Sequence, residues 1–406
     1  MYNVRKVTKD LYWIGGNDRR LALFENIHPI PEGVSYNSYL LLDEKTVLFD
    51  TVDWSIAQTF VDNIEHVLDG RPLDYMVINH VEPDHAACID EVIMRYPNVK
   101  IVSMEKAFMF MRQFGFKIDG REIEVKPGES MSFGKHEIAF VDAPMVHWPE
   151  AMVSFDLTDG VLFSADAFGT FGALDGRLFN DELNFDRDWI EPARRYYTNI
   201  VGKYGPHVQD LLKRAGGLDI KIICPLHGPV WRTDLGYILD KYDKWSSYTP
   251  EEEGVLIVYG TMYGNTEAAA EALGRRLAER GITNIKMYDV SKTDNSYLIA
   301  EAFRFSHIVL ASVTYNLNIY PPMADFIREM QELNLQNRTV AVIENGSWAP
   351  QAGDKIRAEL DKMRHVHVLG DEVLVNSAVR QGNINELDMM ADSIVESFKK
   401  EEKEDK

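Results

Sequence analysis

Apolar and polar positions change rhythm once along the chain, near residue 250. Before it, short alternating runs predict strands. Leu11–Gly16 and Asn37–Val52 alternate in this way, with Asp43-Glu44-Lys45 as a hairpin turn. Helix spacing follows at Ser55–Leu68, then a buried strand at Tyr75–Asn79. The same alternation predicts a helix at Ile89–Arg95, a strand at Val99–Ser103 and a helix at Glu105–Phe114. Residues 131–144 and 152–166 read as strand pairs, Trp189–Arg214 as one long helical section, and "IKIICP" as a last strand. "SSYTPEEEG", within Trp245–Gly254, is polar, contains proline and reads as a linker. Beyond it, near-continuous apolar strands alternate strictly with amphipathic helices: "GVLIVYG", Glu267–Arg280, "IKMYDV", Asn295–Phe303, "HIVLASV", Pro322–Leu333, "TVAVIEN", Asp354–Met363, "VHVLGDEVLV" and a final helix. That pattern predicts a doubly wound parallel sheet. The charged tail, "FKKEEKEDK", is expected to fray. The expected domains are residues 1–249 and 254–400.

Composition narrows the function classes. The 64 acidic against 43 basic residues give a net charge of −21. Nucleic acid and anionic membranes need clustered cations, so neither is an expected partner. Two distant cysteines, Cys88 and Cys224, cannot build a disulfide framework or a thiolate metal site. The N-terminus lacks a signal-peptide pattern, and no apolar run approaches the roughly 20 residues that span a bilayer. A soluble cytoplasmic protein is expected.

"INHVEPDHAACID", Ile78–Asp90, brings His80, Glu82, Asp84 and His85 together directly after a strand. Loops leaving strand carboxyl ends are where α/β folds place chemistry. His147, Asp166 and His227 also end strand-like runs, 62, 19 and 61 residues further on in turn. Seven imidazoles and carboxylates suit two metal ions with one bridging carboxylate, and nitrogen and oxygen donors suit zinc, iron or manganese. Trp148 either walls this site or packs in the core.

These residues resemble the metallo-β-lactamase fold, an αββα sandwich whose hydrolytic signature is His-x-His-x-Asp-His. Here Glu82 replaces the second His, which is the mark of the flavodiiron proteins. The resemblance implies that His80, Glu82 and His147 hold one iron and that Asp84, His85 and His227 hold the other, with Asp166 bridging. A carboxylate adds a hard anionic donor that favours ferric over ferrous iron, which suits redox chemistry more than zinc hydrolysis. Tyr196 resembles a family tyrosine beside the iron pocket, able to donate a hydrogen bond or a proton to bound oxygen species.

In the second half, Thr261, Met262, Tyr263, Gly264, Asn265 and Thr266 join a buried strand to a helix. Small and hydroxyl residues at a helix N-terminus cradle phosphate through free amides and the helix dipole. This loop resembles the flavodoxin phosphate loop for FMN. By the same resemblance, Thr314, Tyr315 and Asn316, then Asn345, Gly346, Ser347 and Trp348, flank the flavin ring. The Ala349-Pro350 that follows departs from the Gly-rich stretch of many relatives.

Together the two halves resemble a flavodiiron protein over nearly the whole chain. The resemblance implies electron flow from an external donor through FMN to a diiron site that reduces dioxygen to water or nitric oxide to nitrous oxide. With no four-cysteine domain in this sequence, the implied donor is rubredoxin or, as in methanogenic archaea, a reduced deazaflavin. A head-to-tail homodimer or dimer of dimers is implied as well. Two other classes stand beside this one: a thioester or lactone hydrolase with a flavodoxin-like appendage, and a flavin electron carrier or sensor with a vestigial metal site. Glu82 and the phosphate loop count against the first, and the complete ligand set against the second.

Overall fold

In a computed structural model the chain is described from Tyr2 to Glu404, with side chains as far as Lys399. Its contacts divide it into two compact units that meet in sequence at Asp243 and Lys244.

The first unit holds two mixed sheets. One runs, in spatial order, through Arg5–Lys6, Leu11–Trp13, Tyr39–Leu42, Thr46–Phe49, Tyr75–Val77, Lys100–Ser103 and Glu122–Glu124. The other runs through Ser130–Ser132, Glu137–Asp142, Met152–Asp156, Val161–Phe163 and Ile222–Cys224. Strand alternation sends Leu41, Val47, Phe49, Val77 and Val102 of the first sheet against Phe140, Met152, Val161, Phe163 and Cys224 of the second. Phe49 and Phe163 stack across the interface with ring centroids 3.8 Å apart. The opposite face of the second sheet, including Val153, Phe155 and Leu162, lines an apolar cavity of about 470 Å³. Leu211 of the helix Gly205–Ala215 and Leu239 of the helix Leu235–Ser246 complete that cavity. Tyr39–Leu42 and Thr46–Phe49 form the expected hairpin, and the helices Ile89–Arg95 and Glu105–Phe114 form with the expected limits.

The section expected to be one helix from Trp189 to Arg214 is broken. An α-helix over Ile190–Tyr196 gives way to a π turn at Tyr197–Val201 and a 3₁₀ turn at Gly202–Tyr204 before Gly205–Ala215 resumes. Pro206 has no N–H for the preceding turn, and Gly202 and Gly205 flank the break, so a regular ladder cannot continue. The stretch read as a linker is also packed. Leu235–Ser246 is helical, Tyr248 is 4% exposed in the core of the second unit, and Arg338 Nη1 donates to the Tyr248 carbonyl at 2.8 Å.

The second unit is a parallel sheet in the spatial order Ile285–Asp289, Glu252–Gly260, Phe305–Tyr315, Arg338–Asn345, with Val366–Val368 and Val373–Val375 sharing the far edge. This is the 2-1-3-4-5 winding, whose switch point opens a crevice at the strand carboxyl ends. Separate apolar clusters pack its two faces. The last helix, Gln381–Glu404, continues through most of the tail expected to fray; Asp405 and Lys406 lie outside the described residues. Among the described residues, no helix is long and apolar enough to cross a membrane. Cys88 and Cys224 are buried and unpaired.

Candidate functional site

Four strands of the first unit deliver side chains to one edge of the sandwich. His80 follows Tyr75–Val77, His147 follows Glu137–Asp142, Asp166 follows Val161–Phe163, and His227 follows Ile222–Cys224. Pro83 opens a short helix, Pro83–Ala86, because its fixed φ and missing N–H suit the first helical position. His80 and Glu82 therefore sit on extended chain, whereas Asp84 and His85 sit on a helical turn. The motif divides, and its two halves serve different sides of the cluster.

His80 Nε2 lies 3.1 Å from Glu82 Oε2 and 3.2 Å from Asp166 Oδ2. His147 Nε2 lies 3.0 Å from Glu82 Oε2 and 3.1 Å from Asp166 Oδ2. On the other side, His85 Nε2 lies 3.1 Å from Asp166 Oδ1 and 3.4 Å from Asp84 Oδ2. His227 Nε2 is 3.3 Å from Asp84 Oδ2 and 3.1 Å from His85 Nε2. Asp166 thus turns one oxygen to each side. All seven sequence-predicted residues converge, as the groups His80, Glu82, His147, Asp166 and Asp84, His85, His227.

The donor set fits cations. Both Asp84 oxygens and Asp166 Oδ1 are buried without a hydrogen-bond donor. Buried acceptor-only groups of this kind are costly unless a positive charge faces them. Glu82, Asp84, Asp166 and the nearby buried Glu150 bring four carboxylates together, a charge that two divalent ions would balance. Burial opposes ionisation of Glu82, but His147 and His80 outweigh it and hold its carboxyl well below the usual range. Burial likewise opposes the His147 cation, yet Asp166 and Glu82 hold that imidazole up at about 9.

The surroundings fix the rings. His227 Nδ1 donates to the Ser35 carbonyl at 2.7 Å, leaving Nε2 free to face inward. Asp50, buried beneath the motif, accepts from the backbone N–H groups of Asn79 at 2.7 Å and His80 at 3.2 Å. Tyr196 packs 5.4 Å from the His227 ring and about as close to Phe171, and its buried hydroxyl has no partner among the described residues. Trp148 is half-buried, edge-on to His80 at 5.5 Å and against Phe110 and the exposed Phe114 of a neighbouring helix, so it walls the site rather than packing in the core.

In the second unit a cavity of about 340 Å³ opens at the strand carboxyl ends, a size ordinary for a cofactor pocket. Thr261, Met262, Tyr263, Asn265, Thr266, Thr314, Asn316, Asn345, Gly346, Ser347 and Trp348 line it. Gly264 does not. Its φ of 88° turns the loop into the helix Asn265–Glu279, and its N–H donates to Thr261 Oγ1 at 3.0 Å. Tyr315 also lies off the pocket, with its ring 6.1 Å from Tyr320. The loop and the helix N-terminus leave amides free for a phosphate, while exposed Trp348 and Tyr263 offer aromatic faces at the rim.

Sequence reasoning missed Val313, Leu317 and Ser377 on this pocket, and Glu150 behind His80. Ser377 arrives from a separate segment at φ 71° and donates to Ser347 Oγ at 2.8 Å. Leu317 follows Asn316 in a turn where both residues take positive φ, and Asn316 was the turn signal available in the sequence.

Known proteins resemble the chain at both levels. The ODP family beta lactamase profile matches residues 34–228, and the flavodoxin profile matches residues 257–396. An uncharacterised protein of Methanocaldococcus jannaschii is 31% identical, covering 91% of this chain and 92% of its own. An anaerobic nitric oxide reductase flavorubredoxin of Aeromonas hydrophila is 32% identical over 87% of this chain and 72% of its own. Among solved structures, the rubredoxin oxygen:oxidoreductase of Desulfovibrio gigas superposes with a TM-score of 0.90 at 27% identity, covering 98% of each chain.

Proposed function

The chain belongs to the flavodiiron proteins, and from that premise we infer that it is an oxidoreductase whose flavin and metal centres occupy the two sites described above. The observation that carries this reading is Asp166, which turns one carboxylate oxygen to each of two groups of imidazole and carboxylate donors. Bound in those sites, FMN would store electrons from an external donor, and two non-haem irons would deliver them to a diatomic gas, reducing dioxygen to water or nitric oxide to nitrous oxide. His80, Glu82 and His147 would hold one iron, Asp84, His85 and His227 the other, and Asp166 both. Thr261, Met262, Tyr263, Asn265 and Thr266 would hold the FMN phosphate on the turn that Gly264 makes, with Thr314, Asn316, Asn345, Gly346, Ser347 and Trp348 around the ring.

The protein's own groups have distinct tasks. Ser35 and Asp50 hold the ligand-bearing loops, Phe24 and Phe171 exclude water from the His227 side, and Tyr196 directs an unpaired hydroxyl beside that ring. Rubredoxin is the proposed donor, with a reduced deazaflavin as the other chemistry that would serve. A cytoplasmic head-to-tail homodimer or dimer of dimers belongs to the same reading, because it would place one copy's flavin near another's irons.

The test is His147→Asn in the flavin-loaded protein. Removing one donor from the Glu82 half is expected to abolish gas reduction and lower iron content while FMN stays bound. Full turnover in that variant would refute a diiron catalyst. Side-by-side assays of the unsubstituted protein with both gases and one reductant would identify the preferred substrate.

A further inference from the structure

We propose that Glu150 is a positioning residue for the metal pair, acting through His80 to make the half formed by His80, Glu82 and His147 more electron-rich than the half formed by Asp84, His85 and His227. The proposal rests on the reading of the cluster as a metal centre.

Glu150 is 3% exposed. Its Oε1 accepts from Val81 N–H at 3.0 Å and lies 2.8 Å from His80 Nδ1. An ionised carboxylate only accepts, so Nδ1 carries a proton toward Glu150, and Nε2, which faces Glu82 and Asp166, is the nitrogen left to a metal ion. The other half is backed differently. His227 Nδ1 meets a neutral carbonyl, that of Ser35, and His85 Nδ1 is buried with no partner among the described residues. A carboxylate behind an imidazole makes it a stronger donor than a carbonyl does, and a stronger donor favours the higher-charged metal ion.

The backbone couples this device to a second ligand. Glu150 and His147 share one turn, closed by Ala143 N–H to the Ala151 carbonyl and Met145 N–H to the Trp148 carbonyl, both at 2.8 Å. One turn therefore supplies His147 to a half-site and orients His80 in the same half-site. Glu150 Oε2 is buried without a partner, so among the described side chains only His80 shares the charge of this carboxylate, beside the Val81 N–H.

The experiment compares the full chain with its E150Q, E150D and E150A variants after reconstitution with iron(II). Iron per chain, FMN content and midpoint potentials from a redox titration followed by electron paramagnetic resonance are measured on each. E150Q keeps an acceptor of the same shape without the charge. It is expected to retain two irons and FMN while losing about tenfold of the ferric preference in one half, a positive shift of about 59 mV for a one-electron couple. E150D keeps the charge and is expected to stay near the parent potential. E150A removes the acceptor and is expected to weaken one of the two irons by about 10- to 100-fold in competition with a chelator. Unchanged potentials in E150Q, or equal shifts in E150Q and E150D, would overturn the assignment. A parent chain that binds no iron pair would instead refute the metal-centre reading and the proposal with it. Two bound irons with an unmoved E150Q potential would refute Glu150 alone.

Discussion

Tyr196 shows how a single residue separates stability from chemistry. Its ring is wholly buried among Phe24, Phe171 and His227, while its hydroxyl has no partner in the described structure. Burial, followed by the Asp166 and Asp84 carboxylates, pushes that hydroxyl well above its ordinary range, so it stays a donor at any physiological pH. Tyr196→Phe keeps the ring and breaks no hydrogen bond seen here. Its melting temperature is therefore expected to equal or exceed that of the parent. Turnover with dioxygen or nitric oxide is expected to fall about tenfold, in line with a hydrogen bond to a charged partner of roughly 1.5 kcal/mol. Undiminished turnover would leave the tyrosine as core packing only. The seven donor residues could be found in the sequence because ligand-type side chains at strand ends are uncommon as a set. Glu150 could not, because nothing in its spacing says that the turn carrying His147 folds back onto His80.

The pairing of the strand Phe305–Tyr315 with the last helix carries a pH dependence of its own. His307 is 2% exposed, stacks on Phe398 at 3.7 Å and contacts Ser397 Oγ at 2.8 Å and Ser306 Oγ at 2.9 Å. Burial lowers its imidazole from 6.5 to about 4. Between those values the unfolded chain binds the proton and the folded chain does not, so stability rises with pH across the window. The contribution is complete above pH 6.5 and is lost as pH falls toward 4, amounting to about 3 kcal/mol. Urea midpoints of the flavodoxin unit at pH 7.5 and pH 5 are expected to differ accordingly, and His307→Gln is expected to flatten the difference. An equal pH slope in that variant would assign the effect elsewhere. The strands and helices of this unit were legible because a parallel sheet buried on both faces imposes long apolar runs. The break at Tyr197–Tyr204 was not, because helical periodicity persists through a π turn while the backbone ladder changes.

For the molecule as a whole, the consequential difference is where the second unit begins. A polar segment containing proline marks an exposed linker by composition, yet Tyr248 is buried and Glu251 accepts from Trp245 Nε1 at 2.9 Å. A fragment starting at Lys244 is therefore expected to fold and bind FMN, and one starting at Gly254 to lose about 3 kcal/mol from the missing aromatic alone. Denaturant midpoints of the two fragments check this, and equal midpoints would mean that the segment adds nothing.

The sequence by itself determined the two kinds of layer, the order in which they follow, and the residue types at each strand end. Those depend on local periodicity and on chemistry carried within a few positions. Only the tertiary structure decided which oxygen of Asp166 faces which imidazoles, which carboxylate stands behind His80, and which of the predicted loop residues line the cavity of the second unit. Each of those depends on segments tens to hundreds of residues apart meeting at one edge of a sheet, and their meeting is set by packing across the whole core rather than by any local pattern.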